Sequence, residues 1–193
     1  MTLKKLLLSI AALALTFNIQ LANAANPKVK IQTSKGTMII ELYPDKAPKT
    51  VENFLTYVNA GAYDGTIFHR VIKDFMNQGG GFDTDFNKVD TRAPIQNEAD
   101  NGLKNLKYTV AMARTNAPHS ATNQFFINTA DNDFLDHKSK SMRGWGYTVF
   151  GKVIEGQNIA GAISRVATGP GGPFSKDVPK VQIVIEKVTE IKE

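Results

Sequence analysis

The sequence predicts a mostly antiparallel β-barrel or sandwich with two helices closing its ends. Apolar residues recur with a period of two in a series of short segments, two segments carry a helical period instead, and no repeat or linker divides the 193 residues. A chain of this length, 42% hydrophobic and 21% charged, reads as one compact domain and not as a disordered polymer.

The first residues read as an address and not as part of the fold. Lys4 and Lys5 form a basic start, Leu6 to Phe17 is an unbroken run of low polarity, and Ala22-Asn23-Ala24 is a small-residue cleavage site. A membrane anchor needs about 20 apolar residues, and this run meets Asn18 and Gln20. The expectation is a cleaved secretory signal peptide over 1–24 and a domain over 25–193. No cysteine follows the run to accept a lipid, so the mature chain is expected to be soluble, without stable membrane association, and periplasmic in a Gram-negative cell. Cleavage removes two lysines, so the net charge of +5 becomes 21 − 18 = +3.

Val29, Ile31 and Thr33 alternate with polar neighbours, as do Met38, Ile40 and Leu42, which predicts a hairpin around Ser34-Lys35-Gly36. Asp45 is the expected N-cap of a helix over Lys46 to Ala60. Val51, Phe54, Leu55 and Val58 form its apolar face, and Gly61 stops it. Ile159, Ala162, Ile163 and Val166 mark a second, shorter helix. Further strands are predicted at Thr66 to Val71, Phe75 to Gln78, Tyr108 to Ala113, Gln124 to Asn128, Tyr147 to Val153 and Val181 to Val188, the last with Val181, Ile183 and Ile185 on one face. Gly79 to Lys107 has little periodicity, and a loop of that length is either functional or a misread element. Gly169 to Pro173 reads as a second irregular segment.

Composition removes much chemistry. Without cysteine there is no disulfide, thiolate nucleophile or zinc finger, and His69, His119 and His137 are too far apart for a helical metal site. No basic run or aromatic-basic interleaving points to nucleic acid. His119 and Ser120 adjoin, but no G-x-S-x-G surrounds the serine.

The densest stretch is Phe68-His69-Arg70-Val71-Ile72-Lys73-Asp74-Phe75-Met76-Asn77-Gln78-Gly79-Gly80. If its two strands pair, Arg70 and Gln78 share a surface with Phe75 or Met76, an apolar patch with two polar hands. An arginine in a strand is more often satisfied by a structural carboxylate than used in chemistry. The glycines are no phosphate loop, because no Lys-Ser or Lys-Thr follows at the required spacing.

This stretch resembles the signature of the cyclophilin-type peptidyl-prolyl cis-trans isomerases. The order continues with Met112-Ala113-Arg114-Thr115, Asn123 to Asn128, Phe134-Leu135-Asp136-His137 and Val149 to Val153. The chain looks most like the exported bacterial subgroup. The resemblance implies a closed eight-stranded antiparallel barrel with a helix at each end, no metal, no cofactor, and a groove for unfolded or flexible proline-containing chains. It makes Arg70 catalytic and Gln78 the amide that holds substrate backbone. Phe75, Met76, Phe126 and Leu135 would line the proline pocket, and Ala113, Arg114 and Thr115 would meet the residues before the proline. Gln124, Phe134 and Tyr147 complete the binding surface.

Three departures stand out: Phe134 where many eukaryotic members have tryptophan, Tyr147 where they have a pocket histidine, and Arg114 where they have asparagine. Loss of an indole N–H predicts weak cyclosporin binding. His69 is expected to be structural or groove-lining, since no general base is needed. His137 is expected to order a loop, and Trp145 to pack in one. A monomeric isomerase that assists the folding of exported proteins is the leading expectation; a non-catalytic holdase or proline-peptide binding module using the same groove is the alternative.

Overall fold

The computed structural model describes residues 25–192, so the expected signal peptide lies outside the described residues. The hairpin expected first is present as β1 (Lys28–Thr33) and β2 (Gly36–Leu42), with Val29, Ile31, Met38, Ile40 and Leu42 fully buried. Helix α1 (Pro48–Asn59) follows, then β3 (Thr66–Ile67), β4 (Arg70–Ile72), β5 (Met76–Gly79), β6 (Thr109–Met112), β7 (Phe125–Asn128) and β8 (Val149–Glu155). Helix α2 (Gln157–Ile163), β9 (Thr168–Gly171), β10 (Phe174–Pro179) and β11 (Val184–Ile191) complete the order.

The mostly-β architecture with two helices is as expected, but the closed eight-stranded barrel is not what is observed. Nine strands form one curled antiparallel sheet in the order β3-β11-β1-β2-β8-β6-β7-β5-β4, and β9 and β10 form a separate pair. The difference arises where Thr66 to Val71 was expected to be a single strand. Ile67, Phe68 and His69 are consecutive and all buried, so the alternation that sustains a ladder is lost. The backbone N–H groups of Ile67 and Phe68 donate to Phe82 and Ile183, β3 pairs with β11, and β4 pairs with β5 at the opposite edge.

The inner face of the sheet and α1 enclose one core. Phe54 of α1 packs its ring 5.1 Å from Phe150 and 5.6 Å, edge-on, from Phe125. Asp45 is not the helix cap: the helix begins at Pro48, and Ala47 in the N-cap position offers no side chain. The orphan N–H groups are met from far along the chain. Glu98 accepts from the Lys49 N–H (3.1 Å), the Thr50 N–H (2.9 Å) and the Thr50 hydroxyl (2.7 Å). The long segment after Gly79 therefore places at least one side chain that the helix requires.

Two further expectations are corrected. Gly169 to Pro173 is not irregular, because Gly172-Pro173 is the turn of the β9–β10 hairpin. Val181 does not share a face with Ile183 and Ile185: the last strand starts at Val184, and Val181 is exposed before it.

Candidate functional site

Strand register assembles the site on the outer face of the sheet. Arg70 of β4 pairs with Gln78 of β5, Gln78 with Phe126 of β7, and Phe126 with Ala111 of β6. Residues directly opposite in a ladder point to the same side, so these four form one row across four strands. Ile72 and Met76 pair in the row beside it. The expected placement of Arg70 and Gln78 on one surface is thus what the structure has.

Over this row lies a cavity of about 140 Å³ lined by Arg70, Phe75, Met76, Gln78, Ala113, Arg114, Phe126, Leu135 and Tyr147. Met76, Ala111, Phe126, Leu135 and Val149 are buried together as a second apolar cluster beneath it, separate from the main core. The Tyr147 ring stands edge-on to Phe126 at 5.7 Å and forms a wall. The cavity is small, apolar at its floor and cationic on two sides.

Its walls are held by a buried amide network. The Phe75 carbonyl accepts from Asn132 Nδ2 (3.0 Å) and from the Thr129 N–H (2.9 Å), fixing the turn that carries the ring. Asn132 also donates to Asn128 Oδ1 (2.7 Å), and Asn128 donates to Thr109 Oγ1 (2.9 Å). Leu135 and Tyr147 are tied by the Tyr147 N–H donating to the Leu135 carbonyl, 2.9 Å. Gln78 Nε2 donates to Gln124 Oε1 at 2.9 Å. A Cβ at Gly81 would fall 2.4 Å from Gln124 Cδ, so only glycine leaves room for that amide.

The two arginines differ. Arg114 is engaged: Nε donates to the Gly146 carbonyl (2.9 Å), and Nη1 donates to the Thr115 (2.9 Å) and Asn116 (3.3 Å) carbonyls. Arg70 is about two-fifths exposed and lies near one carboxylate, with Nε 3.9 Å from Asp177 Oδ2.

Gln124 and Thr115 line an adjoining depression of about 210 Å³ that shares Gln78, Ala113 and Arg114 with the cavity. Phe134 sits at the rim, 59% exposed, with its ring 5.6 Å from Phe75. His69 is not part of this surface. It is buried with its ring stacked on Phe174 and edge-on to Phe82, which matches the structural half of its expectation. Burial is the main reason its pKa is lowered from 6.5 to about 4; the Ile67 backbone hydrogen bond opposes that and the Arg70 charge adds to it. His137 Nδ1 lies 2.9 Å from the Trp145 carbonyl, and Trp145 is buried in its loop.

Ala111, Val149, Asn132 and Asp177 escaped the sequence reading. Ala111 and Val149 were legible as strand residues but not as the floor of a cavity, because which face a strand presents depends on its neighbours. Asp177 lay beyond a segment read as irregular. A larger depression of about 340 Å³ lies beside α1, but it lacks an apolar floor of this kind, and its Lys49 ammonium is spent on the Gln96 amide. Among the described residues no group of three or more His, Asp or Glu is placed to hold a metal ion, and no helix is long and apolar enough to cross a membrane.

Residues 28–190 match the family described as cyclophilin type peptidyl-prolyl cis-trans isomerase. The chain is 62% identical over 158 residues to peptidyl-prolyl cis-trans isomerase cyp18 of Streptomyces antibioticus, covering 82% of this chain and 95% of the relative. It is 53% identical to peptidyl-prolyl cis-trans isomerase B of Escherichia coli, covering 83% and 98%. With peptidyl-prolyl cis-trans isomerase A of Dickeya dadantii it is 50% identical, covering 95% of each chain. Among solved structures it is similar to a Cryptosporidium parvum cyclophilin type isomerase crystallised in the presence of the dipeptide Ala-Pro. That match has a TM-score of 0.68 and 26% identity, and covers 86% of this chain and 99% of the other.

Proposed function

The chain belongs to the cyclophilin-type peptidyl-prolyl cis-trans isomerases, and from that premise we propose how its outer-face cavity turns an X-Pro bond. The activity is isomerisation about the peptide bond that precedes proline. No covalent bond is made or broken, so neither a nucleophile nor a general base is required. The barrier of about 18 to 20 kcal/mol is the loss of amide resonance on twisting.

The row that sets Arg70 beside an apolar cavity carries the mechanistic reading. Phe75, Met76, Phe126 and Leu135 grip the proline ring and disfavour the charge-separated planar amide. Gln78, oriented by Gln124, holds substrate backbone. In the twisted state the proline nitrogen becomes pyramidal and regains a lone pair. The permanently charged fork of Arg70 donates to that nitrogen, or holds the neighbouring carbonyl, better than in either planar state. Ala113, Arg114 and Thr115 line the adjoining depression and border the part of the groove that receives residues before the proline.

Bringing a process of tens of seconds to milliseconds takes roughly 10⁴-fold, about 5.4 kcal/mol. One preorganised donor supplies about 3 to 4 kcal/mol, so the pocket must supply the rest. A protease-coupled assay on an Ala-Pro chromogenic peptide tests this. Arg70→Ala lowers kcat/KM at least about 10²-fold with an unchanged melting temperature; near-normal turnover removes Arg70 from the mechanism. A holdase using the same groove would suppress aggregation equally in both proteins and isomerise nothing.

The proposed compartment is the periplasm, where clients are exported chains still flexible around their prolines. The Lys4-Lys5 start, the apolar run and the Ala22-Asn23-Ala24 site support this. Intact mass of protein from a periplasmic extract should correspond to a chain starting at Ala25; a full-length cytoplasmic chain would overturn it.

A further inference from the structure

Arg70 extends from a three-residue strand at the edge of the sheet, with much rotamer freedom to lose. Among the described residues its guanidinium makes no hydrogen bond and only one ion pair, the 3.9 Å approach of Nε to Asp177 Oδ2. At that distance the attraction is Coulombic and needs no fixed hydrogen-bond angle.

The backbone that brings Asp177 there is unusual. In the β9–β10 hairpin, Phe174 pairs with Gly171 and Val178 with Gly169, so Ser175, Lys176 and Asp177 stand opposite Pro170 alone. Such a bulge re-aims a side chain, and Asp177 at its end has φ 67°, a left-handed conformation uncommon outside glycine. The hairpin that carries Asp177 is anchored at its other residues. The Phe174 ring stacks on His69, the residue before Arg70, at 5.4 Å and meets Phe82 edge-on at 5.1 Å. A Cβ at Gly172 in the turn would fall 2.3 Å from Phe86 Cγ. The hairpin is thus packed against the strand that bears Arg70, and its bulge delivers Asp177 to that arginine.

We propose that Asp177 is a positioning residue: it draws the Nε edge of Arg70 toward the hairpin and leaves the two terminal amino groups to face the substrate. The proposal rests on Arg70 being the catalytic cation. It extends the machinery to a hairpin outside the nine-stranded sheet and outside the cavity lining.

The test is Asp177→Asn, which keeps shape and tolerance of positive φ while removing the charge. Asp177→Gly is the second variant should the first fold poorly. In the protease-coupled assay kcat should fall about three- to fivefold, the upper range for a half-exposed ion pair, with KM unchanged. Raising NaCl should bring wild-type kcat toward that of Asp177→Asn and leave the variant unmoved. In an Arg70→Ala background the same change should cost nothing further, because it acts through Arg70. The ¹⁵N order parameter of the Arg70 Nε–H, identified by its loss in Arg70→Lys, should drop in Asp177→Asn. Unaltered kcat and Nε order in Asp177→Asn, with Arg70→Ala impaired, overturns this inference alone, as does an equal loss in both backgrounds. Wild-type turnover in Arg70→Ala overturns the reading beneath it.

Discussion

The guanidinium carbon of Arg114 lies 4.6 Å from the centroid of the Tyr147 ring, while its Nε donates to the carbonyl of Gly146 and its Nη1 to those of Thr115 and Asn116. Arg114 is therefore a brace between two loops and the face of a pocket wall, and not a free charge reaching for substrate. Peptides with Glu or Lys before proline should show kcat/KM values within about threefold of each other, as expected for a charge already engaged. A tenfold preference for Glu would refute this. Arg114→Ala should raise KM for both peptides by about two- to fivefold through loss of the stacked wall.

Phe134 presents a phenyl ring at the rim of the cavity, mostly exposed and tilted against Phe75. A phenyl ring has no N–H to donate, unlike the indole many eukaryotic relatives carry there. Cyclosporin should therefore inhibit weakly, and Phe134→Trp should tighten inhibition at least about threefold while leaving peptide turnover near wild type. Nanomolar inhibition of the unaltered protein would contradict the argument.

His69 couples the fold to pH. In the unfolded chain it titrates near 6.5 and in the fold at about 4, because burial disfavours the cation. Between those values the unfolded state holds more protons, so lowering the pH through this window removes stability, with no further loss from this group below about 4. An interval of 6.5 − 4, at 1.36 kcal/mol per pH unit, is on the order of 3 kcal/mol. Urea midpoints between pH 7 and pH 4.5 should fall more steeply for wild type than for His69→Phe, whose ring suits the Phe82 and Phe174 surroundings. An imidazole that titrates above pH 6 by NMR would refute it.

What the sequence revealed and what it hid divide along a physical line. Val29, Ile31, Met38 and Ile40 announced their strands because a period of two is written locally, and Arg70 and Gln78 are separated by a turn short enough to fix their pairing. Helix α1 was legible from its apolar spacing, but not its cap: Thr50 and Glu98 are 48 residues apart and meet only in the fold. The bend at Phe68-His69 was invisible because burial of consecutive residues depends on what covers them. Asp177 was hidden for the same reason, since glycine and proline signal a turn without telling which residue the turn will deliver.

The cap from Glu98 is the most exacting of these long-range relations, because one carboxylate serves three donors at the start of the principal helix. Thr50 is fully buried, so without Glu98 its hydroxyl and N–H would have no partner in the fold. Loss of a helix cap costs typically about 1 kcal/mol, and charge-assisted bonds about 1.5 to 3 kcal/mol. Glu98→Ala should therefore destabilise by about 2 kcal/mol and lower the melting temperature by roughly 4 to 8 °C in a domain of this size. Glu98→Gln should recover part of the loss, since the amide oxygen still accepts but without charge. Glu98 lies outside the cavity lining, so kcat/KM at 25 °C should stay near wild type in both variants. A melting temperature unchanged in Glu98→Ala would mean that solvent or the Ala47 backbone satisfies the helix start, and that the long loop is dispensable to it.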